Sequence, residues 1–329
     1  MLNFNKNFAE ELLRLDFANR PPFGLYEPID YVLEGEGKRL RPNLLILSYL
    51  AAGGSEERLD AILPAAYALE FFHNFTLIHD DLMDHSDMRR GRPCVHVRWN
   101  EQTAILSGDQ LLIEAYKQLE SLPKELVPDA LILFNTMATK VCEGQQMDMD
   151  FEHTRPTLHD YVDMIEGKTG ALISCACVMG AYLAQPESIL SDDFQAFGQF
   201  GYCLGTAFQI MDDYLDCFGT EETLGKPIGG DIREHKKTWL YLMAEKLLQE
   251  GKILEFPDAY DILDSEDYDA VCQLYRTLGV DKAALEVVKG YTDQAIHALD
   301  TLPTGCTDAG TAATAALRAM AQNLINRNK

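Results

Sequence analysis

Two stretches of this chain place aspartates one helical turn apart where an apolar segment ends. Asp80-Asp81-Leu82-Met83-Asp84 follows the largely apolar run that begins at Phe71, and Asp212-Asp213-Tyr214-Leu215-Asp216 follows Gln209-Ile210-Met211. Residues four apart share one face of a helix, so Asp80 lies over Asp84 and Asp212 over Asp216. Like charges at that spacing repel unless a cation lies between them. Donor sets made only of oxygen suit Mg²⁺, which takes one or two protein carboxylates and completes its shell with phosphate oxygens and water. A single cluster of this kind reads equally well as the solvated end of a helix in an acidic protein. Two of them, with the same spacing and the same apolar approach, point further. They predict two helices facing each other across a cavity and holding several Mg²⁺ ions around a diphosphate.

The cations are scarce, which makes their grouping informative. Against 52 acidic residues the chain has 28 Lys and Arg, for a formal net charge of −24. That balance disfavours nucleic acid as a partner, because a phosphate backbone needs a basic surface. It also means that anionic substrates would need metal ions and a local basic cluster. Ten of the 28 gather in four places: Lys38, Arg39 and Arg41; Arg89, Arg90 and Arg92, with His96 just after; Lys168, followed by Thr169; and Lys226, with Lys236 and Lys237 beyond it. Arginine forks and lysine point charges are the usual protein ligands of phosphate oxygens. The glycine-rich stretch 225–231 permits close backbone approach but is not a Walker A loop. Taken one at a time, each group has a plain structural reading. Arg39, Arg92 and Lys237 read as solvated charges, the segment GKRLRP as a charged helix start, and His96 as a core histidine. Together with the aspartates they indicate two anionic substrates, one bridged by metal and one gripped by side chains.

Long segments with apolar residues three and four apart must position these groups, among them 59–85, 102–119, 124–150, 158–183, 189–218 and 282–299. Period-two alternation of β-branched residues is nearly absent, so strands are not expected. With no repeat, linker or low-complexity tract, residues 1–329 read as a single all-α domain, one large helical bundle around a central cavity. No continuous apolar run reaches the eighteen residues of a membrane span, and the first residues do not resemble a signal peptide. The eight cysteines form no CxxC pair and read as buried free thiols of a cytoplasmic protein.

Set side by side, GKRLRP, DDLMD with RRGRPCVH, GQQMD, KTG, QIMDDYLD and GKPIGGDI resemble, in order and spacing, the trans-isoprenyl diphosphate synthase (polyprenyl synthase) family. The resemblance runs from about Gly35 to Thr238, and the tail 326–329 is similar to the basic C-terminus of several members. It implies a prenyltransferase that extends an allylic diphosphate with isopentenyl diphosphate, using three Mg²⁺ ions and working as a homodimer. Asp80, Asp84 and Asp212 would bind the metal. Arg89, Lys168, Lys226 and Lys236 would hold the allylic diphosphate, and Lys38, Arg41, Arg90 and His96 the isopentenyl diphosphate. Thr169 and Gln209, with Lys168 and Lys226, would serve the chemical step. Asp81, Asp148, Asp213 and Asp216 would support or extend the metal site.

Other assignments fit less well. A terpene cyclase needs no second diphosphate site, which leaves GKRLRP and RRGRPCVH without a purpose. A head-to-head synthase of the squalene type would carry differently shaped acidic motifs. A non-catalytic subunit of a heteromeric synthase commonly lacks one aspartate motif, and this chain has both. Product length is expected to depend on Phe75 and Thr76, five and four residues before Asp80. Members of the family the chain resembles that have a single aromatic at that level and no insertion inside the first aspartate motif tend to stop at C20, so the resemblance implies geranylgeranyl diphosphate, with farnesyl diphosphate as the alternative.

Overall fold

The segment Ala171–Ala184 is apolar on every side, and all of it except Val178 and Ala184 is buried. A helix with no polar face has to be covered all round, and the chain is wrapped to do so. The structure is a computed structural model that describes residues 12, 15–35, 37–188, 192–220, 228–251, 258–302 and 307–325, with the side chains of 188, 192, 193 and 325 left aside. In chain order the helices are α1 (Phe23–Leu33), α2 (Leu40–Ala51), α3 (Leu59–Met83), α4 (Val95–Arg98), α5 (Glu101–Glu120), α6 (Val127–Phe151) and α7 (Leu158–Ile165). A π-helical turn, Glu166–Gly170, leads directly into α8 (Ala171–Ala184). There follow α9 (Asp192–Phe218), α10 (Gly230–Arg233), α11 (Trp239–Gln249), α12 (Ala259–Leu263), α13 (Tyr268–Leu278), α14 (Val280–Asp300) and α15 (Asp308–Ile325).

The central α8 packs against α2, α3, α6 and α9. Outside this layer α3 rests on α5, and α9 on α14, while α15 closes over α2 and α14. Helix starts carry their own stop signals. Asn100 accepts from the Thr103 amide at 2.8 Å ahead of α5, and Thr157 and Asp160 form a reciprocal capping box ahead of α7. Two helical stretches, 56–83 and 158–184, are long and apolar enough to cross a membrane, but 61% and 72% of their apolar windows are buried inside the fold. They are core helices, and they carry Asp80 and Lys168.

The π turn is gripped from both sides by glycines. A Cβ on Gly144 of α6 would meet the Lys168 backbone nitrogen at 2.2 Å, and one on Gly205 of α9 would meet the Gly170 Cα at 2.7 Å. Only hydrogen fits at these two crossings, so α6 and α9 close directly onto the backbone of the Lys-Thr-Gly segment. π turns of this kind recur at functional sites.

One expectation fails. Residues 88–93 form a short antiparallel hairpin, with Met88 opposite Pro93 and Arg89 opposite Arg92. Its two central residues, Arg90 and Gly91, both have positive φ (53° and 72°). That is the signature of a two-residue hairpin turn whose twist matches its strands. The pairing is too short to show as alternation in the sequence. Substituting Gly144→Ala would wedge a methyl group against the π turn. The expected outcome is a loss of about 1–3 kcal/mol, read as a lower midpoint in denaturant unfolding.

Candidate active site

Helix α3 ends at the first aspartate cluster. Asp84 caps its C-terminus and stands exposed, Asp80 is half-buried one turn earlier, and Asp81 is buried on another face. Burial pushes the Asp80 carboxyl above its ordinary value; Lys168 and Arg89 pull it back, while Asp84 and Asp81 add to the rise. The result is a carboxylate pair short of positive charge. Asp81 is differently placed. It accepts from Arg89 Nε at 2.7 Å and so fixes that arginine.

The π turn brings Lys168 to the same place. Its ammonium donates to Asp148 Oδ2 at 2.6 Å, joining α6 to the turn. Burial acts to lower the Lys168 pKa, but Asp148, Asp80 and Asp84 more than offset this and hold it above the ordinary lysine value. Lys168 therefore sits within the field of both α3 carboxylates. Next along, Thr169 donates its hydroxyl to Gln209 Oε1 at 3.0 Å, and Gln209 Nε2 donates to Asp213 Oδ1 at 3.3 Å. The two segments thus meet through side chains forty residues apart in sequence.

The second aspartate cluster does not copy the first. Asp212 is half-buried on α9. Asp213 is buried, and its Oδ2 accepts from the Tyr161 hydroxyl and from the Trp239 amide, the latter at 3.2 Å. Burial and the nearby Asp231 push its carboxyl upward, against the pull of these donors. Asp216 is fully buried and accepts from the Gly230 and Asp231 amides at 3.2 and 3.1 Å, so it caps α10. Lys236 pairs with Glu234 at 2.9 Å. Burial works to lower its pKa, yet Glu234, Asp231 and Asp84 raise it above the ordinary lysine value, which puts Lys236 in the field of the first cluster too. Lys226 lies outside the described residues.

The basic segment at the start of α2 divides its labour. Arg39 takes a left-handed conformation (φ 44°) and is buried, not solvated. Its guanidinium donates to Glu70 Oε1 at 2.5 Å and to the carbonyls of Leu33 and Gly35 at 2.6 and 3.1 Å. It stitches the loop to α3. Arg41 reaches His73 of α3, Nη1 to Nε2 at 3.1 Å, while its buried Nε has no partner among the described residues. Burial, then Arg41 and the other arginines, hold His73 well below the ordinary histidine value, so its ring is neutral. With Nε2 accepting from Arg41, the remaining ring N–H is a donor. Lys38 is exposed, and Arg90 lies against Gly37, its Nη1 3.0 Å from where a Cβ would stand.

His73, which no sequence motif marks, stands seven residues, two turns, before Asp80 on the same face of α3. His96, the histidine expected at the isopentenyl diphosphate, lies on the side of Asp81, and its buried Nδ1 has no partner among the described residues. The other charges read as solvated also have occupations. Lys237 donates to the carbonyls of Phe151 and Thr154, both at 2.7 Å, at the end of α6. Arg92 lies over the Tyr31 ring at 3.8 Å.

Residues 23–278 match the family model for polyprenyl synthetase. The chain belongs to the polyprenyl synthetase family. It is a prenyltransferase. The chain is 38% identical to the geranylgeranyl diphosphate synthase of Saccharolobus solfataricus over 312 residues, covering 93% of this chain and 91% of that one. It is 34% identical to the geranylfarnesyl diphosphate synthase of Natronomonas pharaonis over 317 residues, with 91% and 90% covered. Its fold matches the geranylgeranyl pyrophosphate synthase of Corynebacterium glutamicum, solved with isoprenyl diphosphate and magnesium, at a TM-score of 0.84 and 29% identity, covering 98% and 97% of the two chains. In this polyprenyl synthetase the turn that bears Lys38 and leads into α2 at Arg41 depends on a buried ion pair. Glu70→Ala would strand the Arg39 guanidinium without its counter-charge. The expected cost is about 3–5 kcal/mol, measured by chemical denaturation.

Proposed function

We propose that the chain joins isopentenyl diphosphate head to tail to an allylic diphosphate and stops at geranylgeranyl diphosphate. One observation carries the reading: the site has two distinct anion-directed regions. The Asp80–Asp84 pair, with Lys168 in its field, suits a diphosphate bound through cations. Arg41 and His73, with the buried Arg41 Nε unpartnered, suit one bound by side chains alone. Two anionic sites are what a condensation of two diphosphates requires.

The donor set fits Mg²⁺. Asp80, Asp84 and Asp212 offer carboxylate oxygen only, and among the described residues no three acidic, His or Cys side chains converge to chelate a metal by themselves. An ion that takes the rest of its shell from phosphate and water matches such a site. When bound, Mg²⁺ supplies positive charge that stabilises the departing diphosphate. Arg89, Lys168 and Lys236 add fixed charge to the same leaving group. Lys38, Arg41, Arg90 and His73 orient the isopentenyl diphosphate, and His96 stands nearer Asp81. As the allylic carbon–oxygen bond breaks, its electron pair leaves with the diphosphate. The isopentenyl double bond then attacks the allylic carbon, and the proton released goes to the freed diphosphate. The oxygens of Thr169 and Gln209 stabilise the positive charge in between. Homodimerisation belongs to the same proposal: Ile105, Leu106 and Ile113 are exposed on one arc of α5, an apolar strip that a second copy would cover.

Relatives of similar identity carry names with different product lengths, so the stop has to be sought in the tail's path. Phe75 packs its ring against His79 at 4.8 Å and Phe72 at 5.5 Å. Phe72 continues onto Phe134 of α6, and Phe134 onto Tyr116 of α5, at 5.3 and 5.2 Å. The chain of rings steps away from Asp80 along α3, and one turn of about 5.4 Å is comparable to one isoprene unit. Phe75 is the floor met first, with Thr76 leaving room beside it.

Incubating the protein with labelled isopentenyl diphosphate and each allylic primer, then chromatographing the hydrolysed products, tests the activity. The expected main product is C20, and no incorporation with any primer would refute the reading. Asp80→Ala should lower kcat by at least ~10²-fold at saturating Mg²⁺. Phe75→Ala should shift the products toward C25, where the Phe72–Phe134 pair becomes the floor. An unchanged distribution in an active variant would assign the stop elsewhere.

A further inference from the structure

The chemistry proposed for Thr169 and Gln209 depends on which end of an amide points where. A carbocation is stabilised by oxygen lone pairs and opposed by N–H groups. Gln209 has one of each, and a half-turn of its amide exchanges them. Its own helix does nothing to choose between the two. The choice must come from the groups it bonds.

Those groups form a directed chain. Trp239 N–H and Tyr161 O–H both donate to Asp213 Oδ2, and the other carboxylate oxygen accepts from Gln209 Nε2 at 3.3 Å. Two fixed donors on Oδ2 favour the ionised form of Asp213 against the upward push of burial and Asp231; a carboxylate offers only acceptors, so the nitrogen end of the Gln209 amide faces it. The oxygen end then faces Thr169, whose hydroxyl donates to it at 3.0 Å. The Thr169 proton is thereby committed as well, which leaves oxygen lone pairs as what both residues present. Tyr161 lies on α7 and Trp239 opens α11, both outside the residues that would touch substrate.

We propose that Asp213 and Tyr161 are positioning residues: they lock the Gln209 amide with its oxygen toward Thr169, and so set the polarity of the groups that stabilise the allylic cation. This rests on the prenyl-transfer reading above. It departs from the expectation that Asp213 supplements the metal site, because the hydrogen bonds of Asp213 lead to Tyr161, Trp239 and Gln209 and not toward Asp212 or Asp84.

The test exchanges the polarity of one hydrogen bond and then restores it. Asp213→Asn gives Gln209 a neighbour that can donate, freeing its amide to turn. The expected result is a kcat lower by roughly ten-fold or more, with the KM values of both diphosphates and the Mg²⁺ dependence unchanged. Loss of an interaction made only in the transition state has that kinetic form. Adding Gln209→Glu to Asp213→Asn puts oxygen at both ends of residue 209, one accepting from the new amide and one from Thr169, and should recover most of the lost kcat. Tyr161→Phe keeps the ring and removes one donor, so it should lower kcat by a smaller factor at constant KM. An Asp213→Asn variant with normal kcat would overturn the proposal. So would one whose Mg²⁺ requirement rises and which the second substitution does not rescue. If Asp213→Asn does not fold, a fully active Tyr161→Phe overturns it alone. A wild-type protein that forms no prenyl chain would refute the functional reading instead, whereas an active wild type with indifferent variants refutes only this inference.

Discussion

The close approach of three backbones at the π turn is the constraint on which the site depends. Gly144 and Gly205 let α6 and α9 touch the Lys-Thr-Gly segment without side chains between them. Because α6 is that near, Asp148, one turn beyond Gly144, can take the Lys168 ammonium at 2.6 Å. Because α9 is that near, Gln209, one turn beyond Gly205, can take the Thr169 hydroxyl. Both contacts repeat one rule: a glycine at the crossing and a polar partner four residues later on the same face. Any residue larger than glycine would move Lys168 and Thr169 off their partners together.

Charge is the second constraint, and it is met by allocation. A chain with a net charge of −24 has few cations to spare, yet several serve structure alone. Arg39 neutralises Glu70 inside the fold, and Lys237 ties down the end of α6. Arg89 is anchored through Nε by Asp81, which orders it beside the cluster at which it is proposed to act. Arg41 differs from these. Its side chain meets a neutral histidine, and a guanidinium held by a neutral ring keeps its charge free for the anion proposed to bind there.

Much of this was legible in the sequence, and what was not has definable causes. The all-α fold, the helix that ends at Asp80–Asp84 and the gathering of cations near both aspartate clusters followed from periodicity and composition, because those are properties of single segments. The partner of a side chain is not such a property. His73 and His96 look alike in a sequence; only the packing of α2 on α3 brings one of them to Arg41. Arg39 looked solvated because a charge in a loop usually is, and the buried Glu70 that overturns this lies 31 residues away. The π turn adds a residue to a helical turn with no local signal, since glycines on other helices make room for it. The hairpin at 88–93 is too short for its pairing to show as a pattern.

The two aspartate motifs illustrate the same limit most sharply. Their spacing is identical, and helical geometry says truly that the first and last members of each share a face. It says nothing about what covers that face. Beyond α3 the chain turns away and Asp84 remains exposed; beyond α9 it returns as α10, whose amides claim Asp216. The same letters therefore yield a pair of carboxylates in one motif and a single one with a helix cap in the other. The middle aspartates are alike in a way that spacing does not reveal. Asp81 holds Arg89, and Asp213 holds Gln209. In each motif the residue turned inward fixes a polar group that the residues turned outward need beside them. On the proposed reading, the doubled aspartate is one ligand and one brace, and the brace is as much a part of the site as the ligand.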